Sequence, residues 1–201
     1  MTTRIIAGKH RGRPLKIPPG GAVRPTADRV REALFNILTH GIEWPGLDGV
    51  SVLDVFAGSG ACGLEALSRG AEHATFVDID GAVLLTIRRN AAAVGEAWSV
   101  TMLKLDAIRL PPPPGAAKTP CALAFLDPPY ESGLASPALQ GLATRHWLGP
   151  GAIAVVEVAA REPLVVPPGY VSLDERTYGA ARLVFLRLGE TSTSATSFAR
   201  G

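Results

Sequence analysis

From residue 50 onward, short apolar runs ending in turn residues alternate with segments of helical periodicity, and that alternation leaves the chain few architectures to choose from. Strands are predicted at 50–55, 73–78, 98–104, 121–126 and 151–158, and helices at 60–69, 80–94 and 134–147. Parallel strands need a crossover of about a dozen residues, which these helices supply, so the expectation is an α/β fold: a parallel sheet with helices on both faces. Residues 170–177 and 181–188 follow with only the Tyr178-Gly179 turn between them. So short a link makes the pair antiparallel, and the sheet should end with one reversed strand.

Upstream, residues 4–17 mix branched apolar residues with Gly and basic residues and read as a small β-hairpin. Thr26 to Leu38 places Val30, Leu34, Ile37 and Leu38 at helical spacing, with Thr26 or Asp28 available as a cap. The expected organisation is a hairpin extension at 1–21, one catalytic domain at 22–188 and a polar, disordered tail at 189–201. The proline run 111–114 is a loop, and no internal repeat is visible.

A length of 201 residues suits one domain. Apolar residues make up 47% of the chain but never form the roughly 18-residue run of a spanning helix, so no membrane association is expected. The N-terminus lacks the apolar stretch of a secretory signal, which points to the cytoplasm. Cys62 and Cys121, the two cysteines, both sit in apolar surroundings, against a disulfide framework or a zinc site. No metal is expected.

The net charge of +2 conceals an asymmetry. Residues 1–31 hold eight basic residues (Arg4, Lys9, Arg11, Arg13, Lys16, Arg24, Arg29, Arg31) against one acid, Asp28, while the rest holds 12 basic against 17 acidic residues. A basic segment on an acidic body is the footprint of a polyanion contact; the alternative is a solvated arm.

Val52 to Gly60 is an apolar strand that carries Asp54 near its end and passes through a glycine turn into a helix. Gly58 and Gly60 lack the Cβ that would hold a ligand off the backbone, and the helix start offers free N–H groups. Twenty residues after Gly58, Asp78 closes the second strand, where a carboxylate can accept from both hydroxyls of a ribose. A nucleoside-containing cofactor is expected. The candidate set is Asp54, Phe56, Ala57, Gly58, Ser59, Gly60, Asp78, Ile79 and Asp106. If the cofactor is the methyl donor S-adenosylmethionine, Asp54 binds its amino group and Asp106 the adenine amine, although Asp106 reads equally well as a turn cap. Gly58-Ser-Gly-Ala-Cys-Gly63 also satisfies the dinucleotide pattern, which keeps NAD open.

Leu126-Asp-Pro-Pro-Tyr130 decides between them. Two prolines fix φ and donate no N–H, so the chain leaves its strand as a rigid segment with free carbonyls. If Asp127 and the Pro128 carbonyl each accept one N–H of an exocyclic base amine, the nitrogen lone pair is directed at an electrophilic methyl. Pro129 stiffens the turn, and Tyr130 would stack on a flipped or unpaired base. The alternative is a Pro-rich turn with Tyr130 as a core aromatic.

With these residues in view, the chain resembles the bacterial 16S ribosomal RNA guanine-N2 methyltransferases of the RsmD family. The resemblance rests on Arg4-Ile-Ile-Ala-Gly-Lys9, Arg24-Pro-Thr26 running into Asp28-Arg-Val-Arg-Glu-Ala-Leu-Phe-Asn36, Asp54-Val-Phe-Ala-Gly-Ser-Gly60, Glu65-Ala-Leu-Ser-Arg-Gly-Ala71, Asp127-Pro-Pro-Tyr130 and Tyr178-Gly179. It implies a Rossmann-like class I fold with a seven-stranded sheet, S-adenosylmethionine as cofactor, and N2 methylation of guanine 966 in 16S rRNA, within a small-subunit assembly. It also places the N-terminal block, with Arg24, Thr26 and Arg29, beside cofactor and RNA, and a monomer is expected. Two positions depart from the family pattern: Asp78 stands where Glu is frequent, and Cys62 where a larger apolar residue is usual.

Three rivals remain. An NAD-dependent oxidoreductase leaves Asp127-Pro-Pro-Tyr130 unexplained, and a non-catalytic RNA-binding module rests on the basic segment alone. Adenine-N6 and protein glutamine-N5 methyltransferases share the four-residue turn but lack this basic N-terminal block.

Overall fold

A computed structural model describes residues 3–19 and 27–189. Arg24, Thr26 and residues 190–201 lie outside them. The chain begins with a two-stranded antiparallel hairpin, β1 (Thr3–Arg4) and β2 (Pro14–Leu15), followed by helix α1 (Ala27–His40). The main body then alternates β3 (Ser51–Val55), α2 (Ala61–Ser68), β4 (His73–Asp78), α3 (Gly81–Ala93), β5 (Val100–Lys104), β6 (Cys121–Leu126), α4 (Ala135–Thr144) and β7 (Leu148–Ala159). It closes with β8 (Tyr170–Tyr178) and β9 (Ala181–Leu188).

The seven long strands form one sheet in the order β5-β4-β3-β6-β7-β9-β8. The predicted α/β class holds, and the last strand in the chain is the reversed one, antiparallel to both β7 and β8. It does not lie at the edge. β9 slots between β7 and β8 because Leu183, Val184, Phe185 and Leu186 are buried and need cover on both sides. β8 takes the edge, where Asp174, Glu175 and Arg176 keep another chain from pairing with it.

Two apolar layers cover the two faces. Val30 and Leu34 of α1, Leu64 of α2, Ile87 of α3 and the hairpin residues Ile5 and Leu15 pack on one. Leu139 of α4, with Leu110, Ala117 and Trp147, packs on the other. The chain runs outward from β3 through β4 to β5, then returns to start β6 on the other side of β3. Adjacent loops therefore diverge at the C-terminal ends of β3 and β6, which opens the crevice where open α/β sheets bind ligands.

The hairpin is locked to this body by buried polar groups. The Glu65 carboxylate of α2, with no exposed surface, accepts from the Ile6 and Ala7 N–H groups at 2.7 and 2.9 Å and from Arg69 Nε at 2.8 Å. Lys9 and His10 both reach Glu96, at 2.6 and 2.7 Å. Burial alone would raise that carboxyl, but hydrogen bonds from Lys9, His10 and Ser99 pull it down to about 2. Asn90 of α3 accepts from the Lys16 N–H and donates to both the Lys16 and Ser59 carbonyls. One side chain thus joins the hairpin to the glycine loop.

Arg31 departs from the expected polyanion footprint. It is buried, donating to the Arg4 carbonyl at 2.6 Å and to Asp28 at 3.0 Å, with Glu65 3.9 Å from its Nε. Its charge is spent inside the protein. Arg4, Arg11, Arg13, Lys16 and Arg29 remain at the surface.

Candidate active site

Three strand ends converge at the crevice. The Ala57 N–H donates to the Val77 carbonyl of β4 at 3.3 Å, and the Asp127 N–H to the Val55 carbonyl of β3 at 3.4 Å. The glycine loop, the Asp78 corner and the Asp-Pro-Pro-Tyr turn are therefore neighbours.

Within the glycine loop, Phe56 has a φ of 59° and Gly58 one of 53°. A Cβ on Gly58 would meet nothing closer than the Phe56 carbonyl oxygen at 3.9 Å. The face of Gly58 is open, as a backbone cradle for a ligand requires. Gly60 is different. A Cβ there would lie 3.0 Å from Ile87 and 3.2 Å from Phe76, so this glycine serves helix packing and its own left-handed φ of 74°. Gly63 is closed off more tightly still, 2.5 Å from the Phe76 ring. Of the two glycines expected to admit a ligand by lacking a Cβ, only Gly58 has an open face.

Asp54 is buried beneath the loop, and its Oδ2 accepts the Gly63 N–H at 2.8 Å, which caps the start of α2. Burial pushes its carboxyl up to about 8; the Gly63 bond and Arg31 oppose this, and the charges of Asp127 and Asp78 add to it. Two further carboxylates thus stand close enough to disfavour the charge of Asp54. Asp78 accepts the Gly58 N–H at 3.4 Å and the Asp80 N–H at 2.9 Å. Beside it Ile79 is 67% exposed, an apolar platform next to a carboxylate. Ala57 is buried, while Ser59 is half-buried with its carbonyl turned to Asn90. Asp106 accepts the Ile108 N–H at 3.1 Å, the turn-capping contact that was the alternative to an adenine contact.

In the Asp-Pro-Pro-Tyr turn Asp127 and Pro129 are exposed, Pro128 is buried and Tyr130 is half-buried. The Tyr130 hydroxyl donates to Glu157 Oε1 at 2.9 Å, which orients the ring from its far end. Next to it Glu131 takes a left-handed φ of 56°, and its N–H donates to Glu162 at 2.8 Å. The turn is thus held at two points by carboxylates at and beyond the end of β7. Neither Glu157 nor Glu162 was anticipated, yet Glu157 carries a signal: one charge inside the apolar run Ala152 to Val158. Cys62 lies half-buried in the first turn of α2. Burial, then the nearby Asp54 charge, pushes its thiol well above the ordinary range, so it is no nucleophile. Among the described residues no cluster of three or more His, Cys, Asp or Glu could hold a metal ion.

Comparison with known proteins matches residues 3–187 to the family described as Conserved hypothetical protein 95. The ribosomal RNA small subunit methyltransferase D of Haemophilus influenzae is 37% identical over 180 residues, covering 88% of this chain and 89% of that one. The protein of the same name from Escherichia coli K12 is 39% identical, over 85% and 81%. Among solved structures, a putative methyltransferase from Escherichia coli superposes with a TM-score of 0.77 at 34% identity, over 94% of this chain and 99% of that one. An RNA methyltransferase from Salinibacter ruber in complex with S-adenosyl-L-homocysteine, at 16% identity and a TM-score of 0.58 over 83% and 95%, shares the fold. With that coverage and those identities, the chain belongs to the Conserved hypothetical protein 95 family, the family of the ribosomal RNA small subunit methyltransferases D.

Proposed function

We propose that this protein is an S-adenosylmethionine-dependent methyltransferase acting on the exocyclic N2 of a guanine in 16S rRNA, with guanine 966 the position implied by its family. One observation carries the reading. The Asp127-Pro-Pro-Tyr130 turn lies against the end of β3, so its acceptors border the glycine loop at the sheet's switch point.

The residues present fit such a cofactor: an open glycine at 58, a carboxylate at Asp78 beside an exposed apolar Ile79, and the buried Asp54. Asp78 would hold the ribose hydroxyls, Ile79 the adenine face, Asp54 the amino group, and the loop Phe56 to Gly60 would border the carboxylate. S-adenosylmethionine supplies an electrophilic methyl on a sulfonium. The protein supplies position. A guanine amine is a poor nucleophile because its lone pair is delocalised into the ring. Asp127 and the Pro128 carbonyl accept its two N–H groups and draw the nitrogen toward tetrahedral geometry. Asp127 need not be a strong base, since the methylated amine is transiently acidic and gives up its proton to the carboxylate or to water. Tyr130, steadied by Glu157, stacks on the flipped base.

The test is product mapping. Nuclease digestion and mass spectrometry of 16S rRNA from a strain lacking the gene should show one N2-methylguanine lost and restored by complementation. An unchanged rRNA methylation profile contradicts the assignment.

The raised Asp54 carboxyl gives a pH prediction. Its unfolded value is near 3.8 and its folded value about 8, so between these the folded chain holds one more proton than the unfolded. That contribution to stability is full below the lower value and is lost as pH rises to the upper. An ammonium ligand needs the carboxylate ionised. S-adenosylmethionine affinity is therefore expected to rise from pH 6 toward about 8, with net proton release near pH 7. Titration calorimetry in buffers of different ionisation enthalpy reads this directly. Binding without proton exchange would remove Asp54 from the amino-group role.

A further inference from the structure

A cleft of about 500 Å3 lies between the hairpin and α1, away from the glycine loop. Arg4 of β1, Arg11 of the hairpin turn and Arg29 of α1 converge on it from three separate segments, and all three are exposed. Ile6, Asp28 and Glu32 also line it. Such a volume is within the range of small-ligand sites and exceeds what a bare phosphate fills.

The lining is mixed in charge, and that narrows the ligand. Three guanidinium groups call for an anionic oxygen cluster. The carboxylates of Asp28 and Glu32 repel a ligand that is anionic throughout, such as an acidic peptide, but accept N–H donors. A nucleotide offers phosphate at one end and base N–H groups at the other, with apolar ring surface for Ile6.

The place of the cleft fits an RNA that also reaches the catalytic turn. Arg31 backs the residues that line the cleft: it donates to the Arg4 carbonyl and to Asp28, and lies 3.9 Å from Glu65 of α2. Glu65 is two residues along α2 from Gly63, whose N–H bonds to Asp54. The Arg31 charge also acts on the Asp54 carboxyl beneath the glycine loop.

We propose that this cleft seats one nucleotide of the RNA flanking the modified guanine, with its phosphates on Arg4, Arg11 and Arg29. The inference rests on the rRNA methyltransferase reading above. It also assigns the basic segment unevenly: Lys9, paired with Glu96, and Arg31, buried, take no part.

The full chain is titrated into a short fluorescein-labelled single-stranded RNA of mixed sequence across a salt series. The triple variant Arg4→Ala, Arg11→Ala, Arg29→Ala is expected to bind at least about 10-fold more weakly at 0.1 M salt. Its slope of log K against log salt should fall by about 1.4 to 2.1, at about 0.7 for each phosphate that is no longer neutralised. Arg145→Ala, at the end of α4 on the opposite face of the sheet, should leave both unchanged. An unchanged thermal midpoint and S-adenosylmethionine affinity in the triple variant establish that it is folded. A folded triple variant with the wild-type slope overturns the proposal, as does polyglutamate displacing the RNA as well as unlabelled RNA does. Methylation of 16S rRNA is assayed in parallel. Wild-type protein that needs the three arginines to bind RNA but methylates no guanine overturns the enzymatic reading and leaves the cleft standing.

Discussion

Asp127→Ala is expected to lower methyl transfer by about 100- to 1,000-fold while S-adenosylmethionine affinity stays within a few-fold. The size follows from losing one fixed acceptor aimed at charge that develops only as the nitrogen attacks, worth about 2.7–4 kcal/mol when such a group is removed. The selectivity follows from position. Asp127 is exposed in the turn after β6, whereas the proposed cofactor residues sit on β3, the glycine loop and the end of β4. The variant also removes a neighbouring negative charge from Asp54, so its cofactor binding should lose part of its pH dependence. Single-turnover kinetics with 16S rRNA, beside equilibrium binding of the cofactor, separates the two effects. If cofactor affinity collapses with the rate, Asp127 belongs to the cofactor site.

The second large effect is structural. Glu65→Ala is expected to cost about 3–5 kcal/mol, the range for removing one partner of a buried charged network. The loss strands two hairpin N–H groups and Arg69 Nε, and leaves Arg31 without the carboxylate at 3.9 Å. Urea unfolding should show a lower midpoint at unchanged slope. A second signature follows: the hairpin should become sensitive to proteolysis before the sheet does, since the Glu65 carboxylate ties Ile6 and Ala7 to α2. A change under about 1 kcal/mol would mean that the hairpin is held by its apolar side alone, through Ile5 and Leu15.

The reach of sequence reasoning in this chain follows the range of the interactions. Strand ends and helix spacing are local, so Asp54, Asp78 and Asp127 could be placed at the mouth of the sheet from alternation alone. Helix α2 came within a residue of its predicted bounds at each end, because Gly60 and Gly70 bracket it. The predicted 134–147 helix instead stops at Thr144, since Trp147 and Leu148 are drawn into the far core layer and β7 begins at Leu148. The position of β9 depends on which hairpin arm is buried on both faces. That was legible in the contrast between Leu183-Val-Phe-Leu186 and Asp174-Glu-Arg176, but a two-residue turn points only to antiparallel pairing. The polar groups that dock the hairpin were out of reach. Glu65, Asn90 and Glu96 acquire their roles from partners 58 to 86 residues away, which no spacing rule reports. Arg31 was misread for the same reason: a basic residue in a basic segment looks solvated until tertiary contacts bury it. The glycines of the loop after β3 show the converse. One reason was expected for both, and the structure divides it, Gly58 having an open face and Gly60 the close approach of Ile87.

The central question is whether the turn after β6 holds a base amine beside the methyl donor. A crystal structure of the protein with S-adenosyl-L-homocysteine and a guanine-containing oligonucleotide tests this most directly. The prediction is a sulfur over the Gly58 face, with the guanine N2 pointing at it and bonded to the Asp127 carboxylate and Pro128 carbonyl. A sulfur bound elsewhere, or a base seated away from that turn, would contradict it.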